Sequence, residues 1–242
     1  MPTKIAIMVR TRDEAPRIAQ FCESYKEADY ILVADGGSID NTKAIASQYP
    51  NVLIRDFTEK VLLQGGHWRN NDSAHTNFLI AWAKELKVDW VIFHDCDCRP
   101  NYLLRENYRR ILEETKAEVV MATFFYLWGT DMYFPWMCKL KNNHTEFETA
   151  LWSWRAELDL WTNDIPPAYD FRLGDKKITE FRTDFRAEEI FPPLANMHFA
   201  WDTPERAQRK VDIYRESGLI PGMLHPLNFG GPLEPLPEYL HE

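Results

Sequence analysis

Short aliphatic runs alternate along the first half of the chain with stretches whose apolar residues recur every three to four positions. Ile5 to Val9 reads as a strand, and Ile18, Phe21, Cys22 and Tyr25 then fall on one face of a helix. Tyr30 to Val33 is a second strand, which completes a βαβ unit. A helix starts near Asp40, a third strand runs through Val52 to Ile54, a helix carries Phe78, Ala81, Trp82 and Glu85, and Trp90 to Phe93 forms a further strand. These strands are apolar throughout instead of alternating, the pattern of a mostly parallel sheet with helices on both faces. Leu104, Tyr108, Ile111 and Leu112 predict another helix, and Val119 to Leu127 one buried strand.

Beyond that strand the pattern changes. From Gly129 to Phe191, Trp, Tyr, Phe, Pro and charged residues mix with weak periodicity, which predicts loops and short strands decorating one side of the sheet. Leu194 to Phe199 reads as a strand. A helix follows, capped by Thr203, with Pro204 in its first turn, Ala207, Val211 and Tyr214 on one face, and Gly218 at its end. Pro221, Pro226, Pro232, Pro235 and Pro237 mark an extended tail that either packs over the domain or lies loose. The organisation expected is one α/β domain over residues 1–217, divided at 127/128 into a regular and an irregular aromatic-rich half, with a tail at 218–242.

Composition narrows the ligands. The 242 residues, 45% of them hydrophobic, suffice for one large core. Lys and Arg number 28 against 37 Asp and Glu, and the net charge of −9 disfavours nucleic acid and anionic membranes as partners. An acidic chain that handles phosphate needs a local remedy such as a cation. Four cysteines at irregular spacings, no apolar leader and no run near the ~20 residues of a membrane span point to a reduced, cytoplasmic chain. Peripheral attachment to a membrane carrying lipid-linked acceptors is compatible with this, although no basic amphipathic helix marks it.

Asp95 and Asp97 follow a buried strand, and residues two apart in extended chain point to the same side. Both carboxylates are therefore expected to converge at the strand's carboxyl end, where open α/β sheets bind ligands. Two hard oxygen ligands suit Mg²⁺ or Mn²⁺, which would clamp a diphosphate; the alternative is that the pair only caps the turn before Arg99. His94, Cys96 and Cys98 offer a rival zinc site. One Cys-x-Cys does not readily supply four tetrahedral ligands, so these cysteines are expected to be buried and turned away from the carboxylates.

Two further stretches sit at strand ends: Arg10-Thr11-Arg12-Asp13-Glu14-Ala15 after the first strand, and Asp35-Gly36-Gly37-Ser38-Ile39-Asp40-Asn41-Thr42 after the second. With Asp89-Trp90 leading into Asp95 and Asp97, they resemble the nucleotide-binding half of family 2 glycosyltransferases of the GT-A fold. Thr11 and Glu14 match the first motif, with Arg10 and Asp13 departing from it, and Asp35, Gly37, Ser38, Asp40 and Thr42 match the second. The resemblance covers roughly the first hundred residues. It implies a nucleotide-sugar-binding half at 1–127 and an acceptor half at 128–217. Thr11, Glu14 and Asp35 would line the base and ribose pocket, and Asn77 would belong to the family's helix motif. Thr76 stands where that motif has an arginine, so the diphosphate contact is either lost here or supplied instead by Arg69. For Asp35 and Asp40 turn and helix-capping roles stay open.

Similar transferases often complete the metal site with a late histidine followed by a helix bearing Lys and Tyr, here His198 with Lys210 and Tyr214. An imidazole ligand would favour Mn²⁺ over Mg²⁺, so the expected set is Asp95, Asp97 and His198 around manganese. The reaction implied is transfer of a sugar from a UDP-, GDP- or dTDP-linked donor to a glycan or other hydroxyl acceptor. An inverting transfer also needs a general base, for which Glu157, Asp159, Asp164 and Asp170 are candidates, while Trp152, Trp154 and Trp161 are candidate sugar platforms. A nucleotidyltransferase on a related sheet, or a non-catalytic sugar- or nucleotide-binding protein, is the alternative. The first is disfavoured because Arg10 to Pro16 contains no glycine.

Overall fold

The structure, a computed structural model, describes residues 2–62, 68–129, 131–134, 149–165, 168–177, 186–201, 203–208, 212 and 233–240. Its first part runs β1 (Ile5–Thr11), α1 (Ala15–Ser24), β2 (Tyr30–Asp35), α2 (Thr42–Ala46), β3 (Val52–Asp56), β4 (Lys60–Leu62), β5 (Trp68–Asn70), α3 (Asp72–Glu85) and β6 (Trp90–Asp95). There follow β7 (Cys98–Pro100), α4 (Tyr102–Glu114), β8 (Val119–Ala122), β9 (Phe124–Trp128), β10 (Met132–Tyr133), β11 (Ala150–Arg155), β12 (Leu160–Ile165) and β13 (Ala168–Leu173). The remaining strands are β14 (Lys176–Lys177), β15 (Ala187–Ile190), β16 (Asn196–Trp201) and β17 (Glu234–Pro235), and a 3-10 turn spans Glu238–Leu240.

Seven strands form the main sheet in the order β15-β8-β11-β6-β1-β2-β3. Every neighbouring pair is parallel except those made by β11, which runs antiparallel to both β6 and β8. Alternate residues of each strand feed two cores. Ile5, Ile7 and Val9 of β1 face Ile18, Phe21 and Cys22 of α1 and Leu104, Tyr108 and Leu112 of α4. Ala6 and Met8 face Leu79, Ile80, Trp82 and Ala83 of α3. Burial on both faces is why these strands read as continuous apolar runs.

Two departures from the sequence pattern shape the rest. Val119 to Leu127 is two strands: β8 stays in the main sheet and β9 enters a second sheet, ordered β17-β10-β9-β16-β7. The switch is at Thr123, wholly buried, whose N–H donates to the Ile190 carbonyl and whose own carbonyl accepts from Asn196 N. Four apolar residues before the threonine and five apolar or aromatic ones after it carry no mark of such a bend. Second, the irregular segment contributes β11 to the middle of the main sheet instead of only decorating it. Trp152 packs in one core and Trp154 in the other, at 0% and 1% exposure, so neither is a sugar platform and no alternation betrays the strand. Trp161, 39% exposed on the β12–β13 hairpin, is the one of the three that faces outward.

Thr203 caps as expected, its Oγ1 accepting from Arg206 N at 3.2 Å, and residues 204–208 are helical. Val211, Lys210, Tyr214 and Gly218 lie outside the described residues, as does most of the tail. Its last part packs: β17 pairs with β10, and Leu236 and Leu240 are buried under the second sheet.

Candidate functional site

Strands β1, β2 and β6 end level, with Thr11 opposite Asp35 and Arg10 opposite Asp95. Their ends and the start of α3 enclose an open cleft of about 240 Å³, lined among others by Thr11, Glu14, Asn70, His75 and Asp95. Arg10 and Asp95 project to the same side of the sheet. Arg10 Nη2 and Nε donate to Asp95 Oδ1 at 2.5 and 3.1 Å, Nη1 donates to the Asp72 carbonyl at 3.2 Å, and the guanidinium lies 5.3 Å from the Phe93 ring centre. Arg10 and the exposed Arg12 bring positive charge to the cleft of an acidic chain.

Asp35 is wholly enclosed. Its Oδ1 accepts from Gly37 N and Ser38 N at 3.0 and 2.8 Å, and its Oδ2 from Ser38 Oγ and Thr11 Oγ1 at 2.6 and 3.2 Å. A short carboxylate at a strand end meets the N–H groups of the following turn first. The structure thus uses Asp35 to shape the loop, and Thr11 spends its hydroxyl on Asp35 while still lining the cleft. Asp40 ties two helix starts together, accepting from Ala15 N at 3.0 Å, from Thr42 N at 2.9 Å and from Thr42 Oγ1.

Sequence reasoning missed Asn70. Its carboxamide lies so close over Gly36 that a Cβ there would sit 1.7 Å from Nδ2, so only glycine admits it. Asn70 Nδ2 donates to the Gly36 carbonyl at 3.3 Å, and Oδ1 is buried without a hydrogen-bond partner. No local motif signals this contact, which joins residues 34 positions apart. Behind it His75 stacks on Phe57 at 4.2 Å and meets the Ala34 carbonyl with Nε2 at 2.9 Å. Burial, assisted by the Arg10 charge, lowers its pKa to about 4, so the ring is neutral.

Other expected residues are placed elsewhere. Asn77 is committed to β12: its Nδ2 donates to the Thr162 carbonyl and its Oδ1 accepts from Thr162 N, both at 2.8 Å. Arg69 is part of β5, and its side chain lies outside the described residues. Asp159 is 90% exposed and pairs with Lys84, in the last turn of α3, at 2.5 Å. The first turn of α3 touches Arg10, and fourteen residues at 1.5 Å each put Asp159 about 20 Å from the cleft. Glu157, in the turn before β12, is at that same far end. Asp164 and Asp170 stand further along the hairpin, past Thr162, whose Oγ1 donates to the Ser73 carbonyl at the start of α3. Their backbone positions are therefore at the level of the cleft.

The two carboxylates of the Asp-Cys-Asp turn part company. The chain leaves extended geometry at Cys96 and Asp97, so Asp95 stays with Arg10 while Asp97 turns toward β16. Asp97 Oδ1 lies 3.4 Å from His198 Nε2, and Oδ2 accepts from Arg206 Nη2 at 2.8 Å. Arg206 also lies 4.0 Å from Glu14 Oε1, which brings the late helix to the cleft wall. Among the described residues, the donors that cluster within 4.8 Å of one another are Asp97, Cys98 and His198, and Asp95 is not among them. Of the two cysteines, Cys96 is turned into the core, whereas the Cys98 thiol meets Asp97 Oδ1 at 3.8 Å. His94 is also core: it accepts from Trp152 Nε1 at 3.1 Å, and burial lowers its pKa to about 3. The donor set suits a divalent cation, with one carboxylate and one imidazole in contact and little solvent around them.

A larger groove of about 500 Å³ opens between α1 and α4 at the opposite end of the sheet. Its charges cancel locally, as in Lys26 with Glu23 at 2.6 Å and Arg109 with Glu113 at 3.5 Å, so nothing converges on a ligand.

This sheet, with a cleft at the carboxyl ends of β1, β2 and β6 and an acidic turn beside it, is the GT-A glycosyltransferase fold. Residues 6–153 match the model of glycosyl transferase family 2, and the chain belongs to that family. Among solved structures it resembles S. aureus TarS residues 1–349, with a TM-score of 0.57 and 14% identity over 88% of this chain and 65% of that one. It also resembles the longer S. aureus TarS structure, with a TM-score of 0.53 and 13% identity over 88% of this chain and 40% of that one. The chain thus spans less than two thirds of the length of either TarS structure. Glucosyl-3-phosphoglycerate synthase from Mycobacterium tuberculosis, solved with Mn²⁺, UDP and glucosyl-3-phosphoglycerate, matches with a TM-score of 0.52 and 14% identity over 90% of this chain and 81% of that one. No curated protein sequence matches the chain.

Proposed function

We propose that the chain transfers a sugar from a UDP-, GDP- or dTDP-linked donor to a hydroxyl of a saccharide or similar acceptor. The observation that carries this is the convergence at one strand-end cleft of Arg10, Asn70 and Asp95 with the adjacent Asp97–His198 pair. Family membership supports it, as does the M. tuberculosis enzyme of the same fold, whose structure holds UDP and a divalent cation.

The base and ribose would enter between Thr11, Glu14 and Asn70, where the buried Asn70 Oδ1 offers an unused acceptor near Gly36. Asp97 and His198 would hold the cation, manganese ahead of magnesium because an imidazole takes part, and its charge would offset that of the departing diphosphate. Arg10 and Arg206 stand on either side of the turn and would orient the diphosphate, each already fixed by one carboxylate. If the transfer inverts, Asp164 or Asp170 would take the acceptor's proton, since they stand at the level of the cleft and Asp159 does not.

Calorimetric titration with UDP, GDP and dTDP, with and without Mn²⁺, tests this on the wild type and on Asp97→Asn. The expected result is cation-dependent binding of one nucleotide, weakened roughly 10–100-fold in the variant. Absence of binding to every nucleotide under both conditions would favour the non-catalytic reading.

A further inference from the structure

Two polar atoms that the fold leaves without a partner lie close together on the β12–β13 hairpin. Thr162 and Phe171 point inward, Thr162 with its Oγ1 on the Ser73 carbonyl of α3 and Phe171 against Trp154. Side chains alternate along a strand, so Trp161, Asn163 and Arg172 project from the opposite, outer face. Trp161 lies directly opposite Arg172, and Arg172 opposite Lys177 of β14, which sets an indole, a guanidinium and an ammonium group in one row across three strands. Asn163 begins the next row and is a diagonal neighbour of Arg172.

The indole is held in place although it faces outward. Its Nε1 donates to the Gly174 carbonyl at 3.0 Å, and the Arg172 guanidinium flanks the ring at 6.0 Å from its centre. Arg172 spends Nη1 on the Asp175 carbonyl at 2.7 Å, whereas its Nε and the Oδ1 of Asn163 meet no hydrogen-bond partner. An unsatisfied donor and an unsatisfied acceptor beside a flat apolar ring are a cost that folding alone does not recover. Both side chains are only half-buried, so rotation about their own bonds brings the two atoms to the rim of the ring. A sugar matches this arrangement. Its C–H face stacks on the indole, and neighbouring hydroxyls, each both donor and acceptor, satisfy Asn163 Oδ1 and Arg172 Nε together.

We propose that the outer face of the β12–β13 hairpin, built on Trp161 with Asn163 and Arg172, is a saccharide-binding subsite that holds a distal sugar of a chain-like acceptor. The sugar-binding face stands on its own geometry, and its role toward an acceptor rests on the transferase reading. Asp164, whose backbone is at the level of the cleft, is three residues from Trp161 along β12, about 10 Å of extended strand. A chain of several sugar units therefore reaches from the indole toward the cleft, and a single sugar does not. Because the ring is already pinned by Gly174, stacking costs it little freedom.

Trp161 reports on its own site. The chain has nine tryptophans, and the indole N–H resonance of Trp161 is identified by its absence in Trp161→Phe, a variant that keeps an aromatic ring at an exposed position. Hexasaccharides of β-1,4-linked glucose, β-1,4-linked N-acetylglucosamine, α-1,4-linked glucose and β-1,4-linked mannose are the probes, titrated into the full chain without nucleotide. At least one is expected to shift that resonance saturably in the wild type, while glucose at the same concentration leaves it in place. Trp161→Ala is expected to weaken this binding roughly 10-fold, and Trp161→Phe less. A Trp161 resonance that no hexasaccharide moves would overturn the proposal, as would undiminished binding by Trp161→Ala; glucose binding as tightly as the hexasaccharide would overturn the chain-like acceptor. Nucleotide titration of the same samples separates the two readings. Nucleotide binding without saccharide at Trp161 sinks the hairpin subsite alone, and saccharide at Trp161 without nucleotide binding sinks the transferase reading alone.

Discussion

Arginine–carboxylate pairing decides much at the scale of single residues. Arg10 on Asp95 and Arg206 on Asp97 hold both acids of the turn in place inside a protein of net charge −9. Gly36 matters for a different reason, the absence of a side chain. Gly36→Ala puts a methyl group where the Asn70 carboxamide lies, and because that group is the end of a flexible side chain it moves aside cheaply. The expected outcome is a stability change below about 1 kcal/mol by urea unfolding, together with a clear loss of nucleotide affinity by calorimetry. Unchanged affinity would show that Asn70 takes no part in the pocket. His75 predicts a pH dependence. Its folded pKa of about 4 lies below the unfolded value of 6.5, so the unfolded chain binds the extra proton between those limits. Stability is therefore full above about pH 6.5 and falls as pH drops toward 4, by about 1.4 kcal/mol per pH unit at most. His94 adds a loss of the same sign. Urea midpoints at several pH values should show a shallower acid slope in His75→Gln than in the wild type.

Elements that bend without a turn residue, or that pair across long sequence distances, are where reading the chain failed. The strands β1, β2 and β6 and the helices α1, α3 and α4 were legible because apolar runs, helical spacing and turn residues agree there. The single strand expected over Val119 to Leu127 hides its bend at Thr123, and β11 hides because Trp152 and Trp154 serve opposite cores. Proximity of Cys98 to His198 depends on the β7–β16 register, which no local pattern encodes. The residue pair Asp95 and Asp97 was legible, but its convergence failed where the chain turned. Asn77 shows how a motif residue acquires another use, tethering α3 to β12 through three contacts with Thr162. Asn77→Ala should destabilise the protein by about 1–3 kcal/mol, since it strands two backbone groups of β12. Nucleotide affinity, measured on the folded variant, should be nearly unchanged; a selective loss of affinity would return Asn77 to the binding site.

For the molecule as a whole, the cleft draws on the main sheet, the second sheet and the late helix, so a ligand bound there opposes unfolding of all three. A nucleotide and cation at a hundred times their dissociation constant should add about 2.7 kcal/mol, read as a rise of roughly 5–10 °C in Tm for a chain of this size. The placement of β11 also governs how the chain is assembled during synthesis. As it leaves the ribosome, β6 has one bare edge, and its eventual neighbour β11 is made only after β8, which belongs one position further out. An apolar strand with an unmatched edge is a template for wrong pairings. Meanwhile β8 is available, points the same way as β6, and can close the gap directly, giving a sheet one strand short that must reopen before Ala150–Arg155 can enter. The yield of active protein should then depend on translation speed through residues 123–149, with pauses there favouring the short-circuited sheet.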